Sequence, residues 1–254
     1  MKRLNVFTLL MAACLACCVD SNADESDSDK ERALAAIKST GAQIVVDEQD
    51  PHRPPIEIRI HACRGKDEHL VHLKHFDTLK ILHIGGIQVT DAGLRNLAGL
   101  SELETLIIEG SSVSGSSLEN LMYLPKLRIL DLRDSMVTNK GLANIKSLTN
   151  LRVLNLSGTH VTDAGLRHLK PLKKLESLNL DFTELELTDE CIKHLLQLPQ
   201  LKSLVLSFSL VSDKGMAELS GLPHLESLDL EGAKVTEAGV AEFRKKNPRV
   251  KITY

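Results

Sequence analysis

A leucine returns at a fixed interval of 24 residues through most of this chain, and the series continues after one shift of two residues. It comprises Leu79, Leu103, Leu127, Leu151, Leu175, Leu201 and Leu225. A repeat of this length is one supersecondary unit that cannot bury its apolar face alone, so neighbouring units must stack to form a core. The period therefore predicts a solenoid.

Each repeat contains two apolar periods. In the repeat that begins at Leu151, alternation at Leu154 and Leu156 points both side chains to one face of a strand. The three-residue spacing of Leu166, Leu169 and Leu172 then produces the apolar stripe of a helix. Because the strand-to-helix order is the same in every repeat, the strands must lie parallel. The sequence predicts an α/β fold, a right-handed solenoid shaped like a horseshoe, with a concave parallel sheet and convex helices.

Composition divides the chain into five segments. Residues 1–23 have the pattern of an export signal, because basic residues precede an apolar run too short to span a bilayer. An acidic linker over residues 24–30 and an N-terminal cap over residues 31–54 follow. About eight coils fill residues 55–248, and a closing strand is predicted over residues 249–254.

Two processing routes are open for the export signal. Cleavage before Asp24 would release a secreted or periplasmic protein, whereas the residues before Cys14 are similar to the lipid-attachment motif of bacterial lipoproteins. Lipidation at Cys14 is favoured over the soluble route, with Cys17 and Cys18 as alternative acceptors. Either route predicts an exported protein, and the favoured one predicts membrane attachment through a lipid anchor alone.

A hydroxyl residue, followed mostly by an acid, stands between strand and helix in most repeats. These pairs are Thr90-Asp91, Thr138-Asn139, Thr162-Asp163, Thr188-Asp189, Ser212-Asp213 and Thr236-Glu237. The hydroxyl is a preferred helix N-cap, and an acid suits the first helical turn. A glycine such as Gly165 or Gly215 follows, where a missing side chain would let neighbouring coils approach closely. Because the pair recurs in coil after coil, we interpret it as structural and not catalytic.

The sequence VTDAGL, which begins at Val89 and again at Val161, follows an LxxLxLxxT pattern in its second copy. This combination resembles the exported bacterial leucine-rich repeat proteins of the 24-residue type, over roughly residues 55–248. It is similar also to cysteine-containing and ribonuclease-inhibitor-like repeats, which in eukaryotes often follow an F-box in ubiquitin-ligase adaptors. No F-box-like segment precedes the repeats. The asparagine that such families place after the strand is replaced, mostly by hydroxyl residues but by Ile87 and Ala233 in two coils.

The residues between the strand leucines face outward on the predicted concave sheet. The candidate partner-binding set is Arg59, His83, Ile107, Ile129, Asp131, Arg133, Asn155, Asn179, Asp181, Asp229 and Glu231. The set is basic in the first coils, apolar in the middle and acidic in the last coils. It favours a partner that lies along the face, with the apolar part as anchor. The alternative is that β-branched residues simply suit exposed strands and the charges maintain solubility.

Two phenylalanines form a second candidate site at the rim. Phe182 and Phe208 occupy equivalent positions where most other coils have glycine, beside a two-residue insertion within residues 184–187. An exposed aromatic pair would be a binding hot spot. Equally, the pair would fill a gap that the insertion creates, and the sequence leaves both interpretations open.

Other functional classes find little support. The chain has no phosphate-binding loop, no GxSxG elbow and no HExxH motif, so we predict no enzyme and no cofactor. His69, His72 and His75 are favoured as a polar helix edge over a metal site. Cys63 and Cys191 lie five coils apart, about 24 Å, too far for a disulfide, so two free thiols are expected.

The expected partner is a protein. A net charge of −3 without clustered basic residues argues against nucleic acid. A glycan or cell-wall ligand is the second hypothesis, weakened by the absence of tryptophan and the presence of only two tyrosines. An adaptor of the ubiquitin type lacking its F-box is the third.

Overall fold

The computed structural model describes residues 28–60, 64–183 and 187–254. The predicted export signal with Cys14, most of the acidic linker, Cys63 and most of the insertion lie outside the described residues. Among the described residues, no helix combines the length and apolar character needed to cross a membrane.

Ten strands form one sheet in sequence order across the described chain. They are β1 (Gln43–Val46), β2 (Pro55–Ile60), β3 (Ile81–Gly85), β4 (Thr105–Glu109), β5 (Ile129–Asp131), β6 (Val153–Asn155), β7 (Ser177–Asn179), β8 (Ser203–Val205), β9 (Ser227–Asp229) and β10 (Lys251–Thr253). Strands β2 to β10 pair in parallel, and equivalent leucines such as Leu106, Leu130 and Leu154 are in register. The predicted α/β solenoid with a parallel sheet is confirmed. Strand β1 is antiparallel to β2, because a short connection joins the two instead of a crossover.

The convex side is built from shorter helices than the apolar stripe predicts, because in the coil that begins at Leu151 the helical segment ends at Leu169 and Leu172 lies beyond it. The α-helices are α1 (28–39), α2 (Asp67–Leu70), α3 (Asn139–Leu142), α4 (Asp163–Leu166), α5 (Ile192–Leu195), α6 (Asp213–Glu218) and α7 (Glu237–Lys246). The 3₁₀ helices are Val71–His75, Gly93–Leu97, Leu118–Tyr123, Ala143–Ser147, Arg167–Leu169, Asp189–Cys191 and Leu219–Gly221. A 3₁₀ helix rises about 2.0 Å per residue against about 1.5 Å in an α-helix. It therefore crosses the convex side with fewer residues, which suits a coil that must also contain a strand and two turns.

The leucine columns form one continuous core. In a central coil, Leu151, Leu154, Leu156, Leu166 and Leu169 have no exposed surface, and their equivalents in the other coils are buried as well. Each fully buried leucine stabilises the fold by about 1.5–3 kcal/mol relative to an exposed one. The repeated columns are thus the main source of stability.

Buried residues of α1 and α7 extend this core at both ends. Ala33 and Ile37 of α1 pack at the first coil, and Val240 and Phe243 of α7 pack at the last. Asn247 follows α7, and its backbone N–H donates to the carbonyl oxygen of Phe243 at 2.9 Å. The apolar core therefore continues from the central coils into the helices at the two ends of the solenoid.

Cys191 is a free, buried thiol at the end of a convex 3₁₀ helix. Burial, reinforced by the nearby carboxylates of Asp163 and Asp189, raises the pKa of this thiol. A thiol held protonated in an apolar column is a weak nucleophile, so Cys191 contributes to packing.

The pairs of hydroxyl and acid join successive coils. Asp189 accepts hydrogen bonds from the backbone N–H and the hydroxyl of Ser212, one coil later, at 2.8 and 2.6 Å. The same contact recurs in the pairs Asp67–Thr90, Asp91–Ser114, Asp163–Thr188 and Asp213–Thr236, and through an amide in Asn139–Thr162. We call this series the aspartate ladder. It supplies the contact between coils that the missing asparagines would otherwise provide.

The aspartate ladder explains the glycine that follows four of these pairs. A Cβ added at Gly93, Gly165, Gly215 or Gly239 would lie 2.1–2.3 Å from the side-chain oxygen of the ladder residue in the preceding coil. The predicted hydroxyl N-caps are confirmed at Thr138, Thr188, Ser212 and Thr236.

The capping prediction is wrong at Thr162, whose hydroxyl makes no hydrogen bond to its own helix. The oxygen instead accepts from the side-chain amide of Asn139 at 2.8 Å. Asn139 stands where the other contacts of the ladder have an aspartate. Its side-chain amide carries an N–H donor, and this donor binds the Thr162 hydroxyl oxygen that would otherwise cap the helix.

Hydroxyl residues also form hydrogen bonds with backbone groups in the turn after four of the strands. Ser135 and Thr159 donate to the carbonyl oxygen three residues earlier, and the hydroxyls of Ser111 and Ser209 accept from the N–H two residues later. Ile87, at the same position, offers no such bond and is 73% exposed. The expected substitution of hydroxyls for asparagine is confirmed at these four positions.

The aspartate ladder should make stability depend on pH. Burial raises the pKa of Asp91, but hydrogen bonds from the N–H and hydroxyl groups of Ser114 and Ser117 outweigh burial and hold this pKa below its usual value. The folded pKa is thus below the unfolded one. The stabilisation is present above the unfolded pKa, about 3.9, and is lost as the pH falls through the folded pKa.

We therefore expect Asp91→Asn to lower the free energy of unfolding by about 1–2 kcal/mol at neutral pH. The difference from wild type should shrink as the pH falls below about 4. Urea denaturation across this pH range measures both effects. Asp77→Asn, at an exposed carboxylate outside the ladder, is the control, and equal behaviour of the two variants would contradict the prediction.

Candidate functional site

The structure brings the predicted partner-binding residues to the concave face of one sheet. Half-buried members are His83, Ile107, Ile129, Asp131, Arg133, Asn155, Asn179, Asp181 and Asp229, whereas Arg59 and Glu231 are exposed. The members lie in three parallel rows that cross the strands. The middle row contains Arg59, His83, Ile107, Asp131, Asn155, Asn179, Val205 and Asp229.

Four side chains of the middle row have a structural role that the sequence analysis did not assign. Asp131, Asn155, Asn179 and Asp229 each accept, through Oδ1, a hydrogen bond from the backbone N–H two residues later, at 2.9–3.1 Å. This bond forms a local turn that competes with continued strand pairing. It coincides with the end of a short strand, and it leaves the second side-chain polar atom of each residue facing outward.

A charge network occupies the first half of the face. The Oε1 atom of Glu109 lies 2.9 Å from Nε2 of His83, and Oε2 accepts from Nε of Arg133 at 3.0 Å. Arg133 also lies 3.6 Å from Oδ2 of Asp131, which accepts from the amide of Asn155 at 3.2 Å. The network therefore spans four successive coils.

Glu109 is the central residue of this network, and the sequence analysis missed it. Burial raises the pKa of Glu109, but the hydrogen bond and charge of His83, with those of Arg133, outweigh burial and lower it. The signal was present in the sequence, because Glu109 stands 24 residues before Arg133 and hence in the same row.

Two of the residues that predict a basic end, Arg59 and His83, lie beside acids. Arg59 forms an ion pair with Glu57 of the same strand, and His83 contacts Glu109. Positions two residues apart on a strand share a face, so Glu57 and Arg59 meet side by side. Among the described residues of the first coils, these two basic side chains on the concave face each have an acidic partner.

The acidic character of the last coils is present in the structure. Burial raises the pKa of Asp181, and the charges of Asp229 and Glu231 raise it further, against the effect of a hydrogen bond from the N–H of Phe182. Oδ1 of Asp181 is buried without a hydrogen-bond partner. In the described part of the chain, none of these three carboxylates forms an ion pair.

Phe182 and Phe208 stack on each other at the edge of this acidic region. Their ring centroids are 4.1 Å apart with planes inclined by 20°, and the residues are 57% and 46% exposed. A Cβ added at Gly232 would lie 2.8 Å from the Phe208 ring, so this ring covers the next coil. The exposed surface of both rings favours the hot-spot interpretation of the pair.

Both phenylalanines adopt a backbone conformation that favours glycine. Their φ angles are 47° and 56°. The equivalent positions in other coils include Gly110, Gly158 and Gly232, and also Asp134, all at positive φ. A bulky residue in this region costs about 1–3 kcal/mol and is typical of functional sites. The aromatic side chains are therefore kept at a conformational cost.

Metal-binding groups are not assembled anywhere in the described residues. No three histidine, cysteine, aspartate or glutamate side chains there are placed to hold an ion. His69 has its Nδ1 atom buried without a hydrogen-bond partner, and burial lowers its pKa. A neutral imidazole at a convex helix edge fits the structural interpretation of this histidine.

Comparison with known proteins gives one family. A family model described as a leucine-rich repeat region matches residues 68–247. A solved structure of a leucine-rich repeat protein from Leptospira interrogans is similar, with 16% identity and a TM-score of 0.44, over 72% of this chain and 56% of that one. This chain thus spans little more than half the length of that relative. No curated protein gives a significant match.

Proposed function

Since the chain belongs to the leucine-rich repeat family, we propose that it is a non-catalytic module that binds another protein on its concave face. Domains of this family generally mediate protein binding. The extended surface shared by stacked repeats suits a macromolecule better than a small ligand.

The observation that carries this proposal is the continuous concave face with its fixed side chains. Hydrogen bonds between coils join Arg133 to Glu109 and Asn155 to Asp131, so these side chains are held in place before any partner arrives. Ile107 and Ile129 lie beside them and are only half-buried. Side chains already ordered in the free protein lose little entropy on binding, and a polar network around apolar residues is a common interface composition.

We extend the proposal to the location of the protein. The pattern of residues 1–23 supports export, and the residues before Cys14 support a lipid anchor at the cell envelope. The partner would then be another envelope or extracellular protein. The soluble exported form remains the alternative route for the same binding module.

Arg133→Glu tests the concave face. The change replaces the guanidinium with a third carboxylate beside Glu109 and Asp131, so the network becomes more negative. The measurement is crosslinking capture on the native cell envelope, read by mass spectrometry. We expect the amount of captured partner protein to be lower by about tenfold or more with Arg133→Glu than with wild type.

The matched control is Arg95→Glu, which makes the same charge change on the exposed convex side. Capture by this variant should equal that of wild type. Equal capture by both variants would move the binding site away from the concave face, and capture of glycans without any protein would contradict the proposed function.

A further inference from the structure

We propose that the acidic end of the concave face binds an arginine side chain presented by the partner protein, clamped between carboxylates and the stacked phenylalanines. The site, called the aromatic corner below, consists of Asp181, Phe182, Phe208, Asp229 and Glu231. This inference rests on the proposed function and names the chemistry of the partner.

The sheet register places smaller residues between the carboxylates of the aromatic corner. Val205 of β8 lies between Asn179 of β7 and Asp229 of β9. Two residues further along, Ser207 stands between Asp181 and Glu231, and its small side chain is buried. The two carboxylates therefore stand two coils apart, about 9.6 Å at the usual strand spacing, above a floor of valine and serine.

The charge of the aromatic corner is uncompensated, unlike the rest of the face. Glu57 pairs with Arg59, and Glu109 and Asp131 contact Arg133. Asp181, Asp229 and Glu231 have no ion pair among the described residues. Carboxylates brought together on a preformed surface repel each other, and a cation from outside relieves the repulsion.

The stacked rings select the kind of cation. The Phe208 ring lies against Gly232, the residue that follows Glu231, and the backbone N–H of Phe208 donates to the carbonyl oxygen of Glu231 at 2.7 Å. Phe182 follows Asp181 directly. A guanidinium group is planar and can stack on a phenyl ring while it donates to carboxylates at its edge. Lysine offers a point charge without this geometry.

The strained backbone supports a binding role for the phenylalanines. Positive φ angles at Phe182 and Phe208 would be relieved by glycine, the residue at three equivalent positions in other coils. Retention of exposed aromatic rings at such positions favours a role in recognition over one in folding.

The first experiment measures binding of fluorescein-labelled peptides to the full-length chain in a mild non-ionic detergent, by fluorescence anisotropy. The probes are a peptide with three arginines separated by glycines and matched peptides with lysine or with neutral citrulline. We expect the arginine peptide to bind about tenfold more tightly than the citrulline peptide, with lysine in between. Equal binding of the three peptides would overturn the inference.

The second experiment uses the double variant Phe182→Gly and Phe208→Gly, beside Asp229→Lys. Each should weaken binding of the arginine peptide about tenfold. The melting temperature of the double variant should stay level or rise, because the glycines relieve strain. A lower melting temperature with unchanged peptide affinity would show that the rings serve packing, and this result would overturn the inference.

Tyr123→Ala removes an exposed aromatic ring from the convex side and serves as the control for both experiments. It should leave peptide binding unchanged. Loss of binding in this control would show that the peptide is not held at the aromatic corner.

Crosslinking capture separates this inference from the proposed function. If the double phenylalanine variant captures the same partner as wild type, the arginine site is wrong while concave-face binding stands. If the double variant loses the partner and retains any glycan binding, the arginine site is supported. If wild type captures no protein, the proposed function itself is wrong. The peptide comparison is then the test of the arginine site.

Discussion

Leu154→Asp should unfold the central coils. Leu154 lies in β6, between Leu130 and Leu178, and has no exposed surface. The substitution removes an apolar side chain from the core and buries a carboxylate that has no partner, at an expected cost of more than about 4 kcal/mol. Because each coil is stabilised mainly by its two neighbours, the damage should spread to the adjoining coils. Circular dichroism melting and urea denaturation measure the loss.

Val153→Thr is the matched control for this change. Val153 is the adjacent residue of the same strand, but its side chain lies on the half-buried concave face. Threonine is similar in shape and favours strands, so we expect a change of less than about 1 kcal/mol. A melting temperature that barely moves in Leu154→Asp would show that the core register is wrong.

Gly141→Ala should strongly destabilise the fold. An added Cβ would lie 2.1 Å from the carbonyl oxygen of Ser114 and 2.8 Å from Cα of Gly115. Both obstacles are backbone atoms of the preceding coil, so no side-chain rotation removes the clash. We expect a loss of about 3 kcal/mol in the free energy of unfolding, measured by urea denaturation.

Two other glycines provide a graded comparison. At Gly215 the added methyl would meet the carboxylate of Asp189, which can move at the expense of the aspartate ladder, so the loss should be smaller. At Gly99 nothing lies within 4 Å of the added atom, and alanine should be neutral or stabilise by up to about 1 kcal/mol. Equal effects at all three positions would exclude close backbone approach as the reason for Gly141.

The sequence predicted the fold well because its evidence is periodic. Leucines that alternate over a strand and then recur every three residues specify which side chains are buried, and repetition every 24 residues specifies which strands are neighbours. Helix length was less predictable. An apolar stripe with three-residue spacing fits both an α-helix and a 3₁₀ helix, and the choice depends on how far the chain must travel across the convex side.

The candidate site was predictable by position but not by pairing. The outward positions on each strand follow from alternation alone, and Arg133, Asp131 and Asn155 lie where the sequence placed them. Their partners depend on side-chain conformation across coils. Glu109 joins His83 to Arg133 because its two carboxylate oxygens reach both neighbouring strands, and no pattern in the sequence specifies this choice.

The sequence by itself determined the solenoid, the core columns and the outward face, because hydrophobic burial depends on a period that can be counted along the chain. Only the tertiary structure decided which charges are neutralised. It paired Arg59 and His83 with acids, and it left Asp181, Asp229 and Glu231 beside two stacked rings. Ion pairs and ring contacts act over a few ångströms between coils, so residues far apart in sequence must be in position before their chemistry is defined.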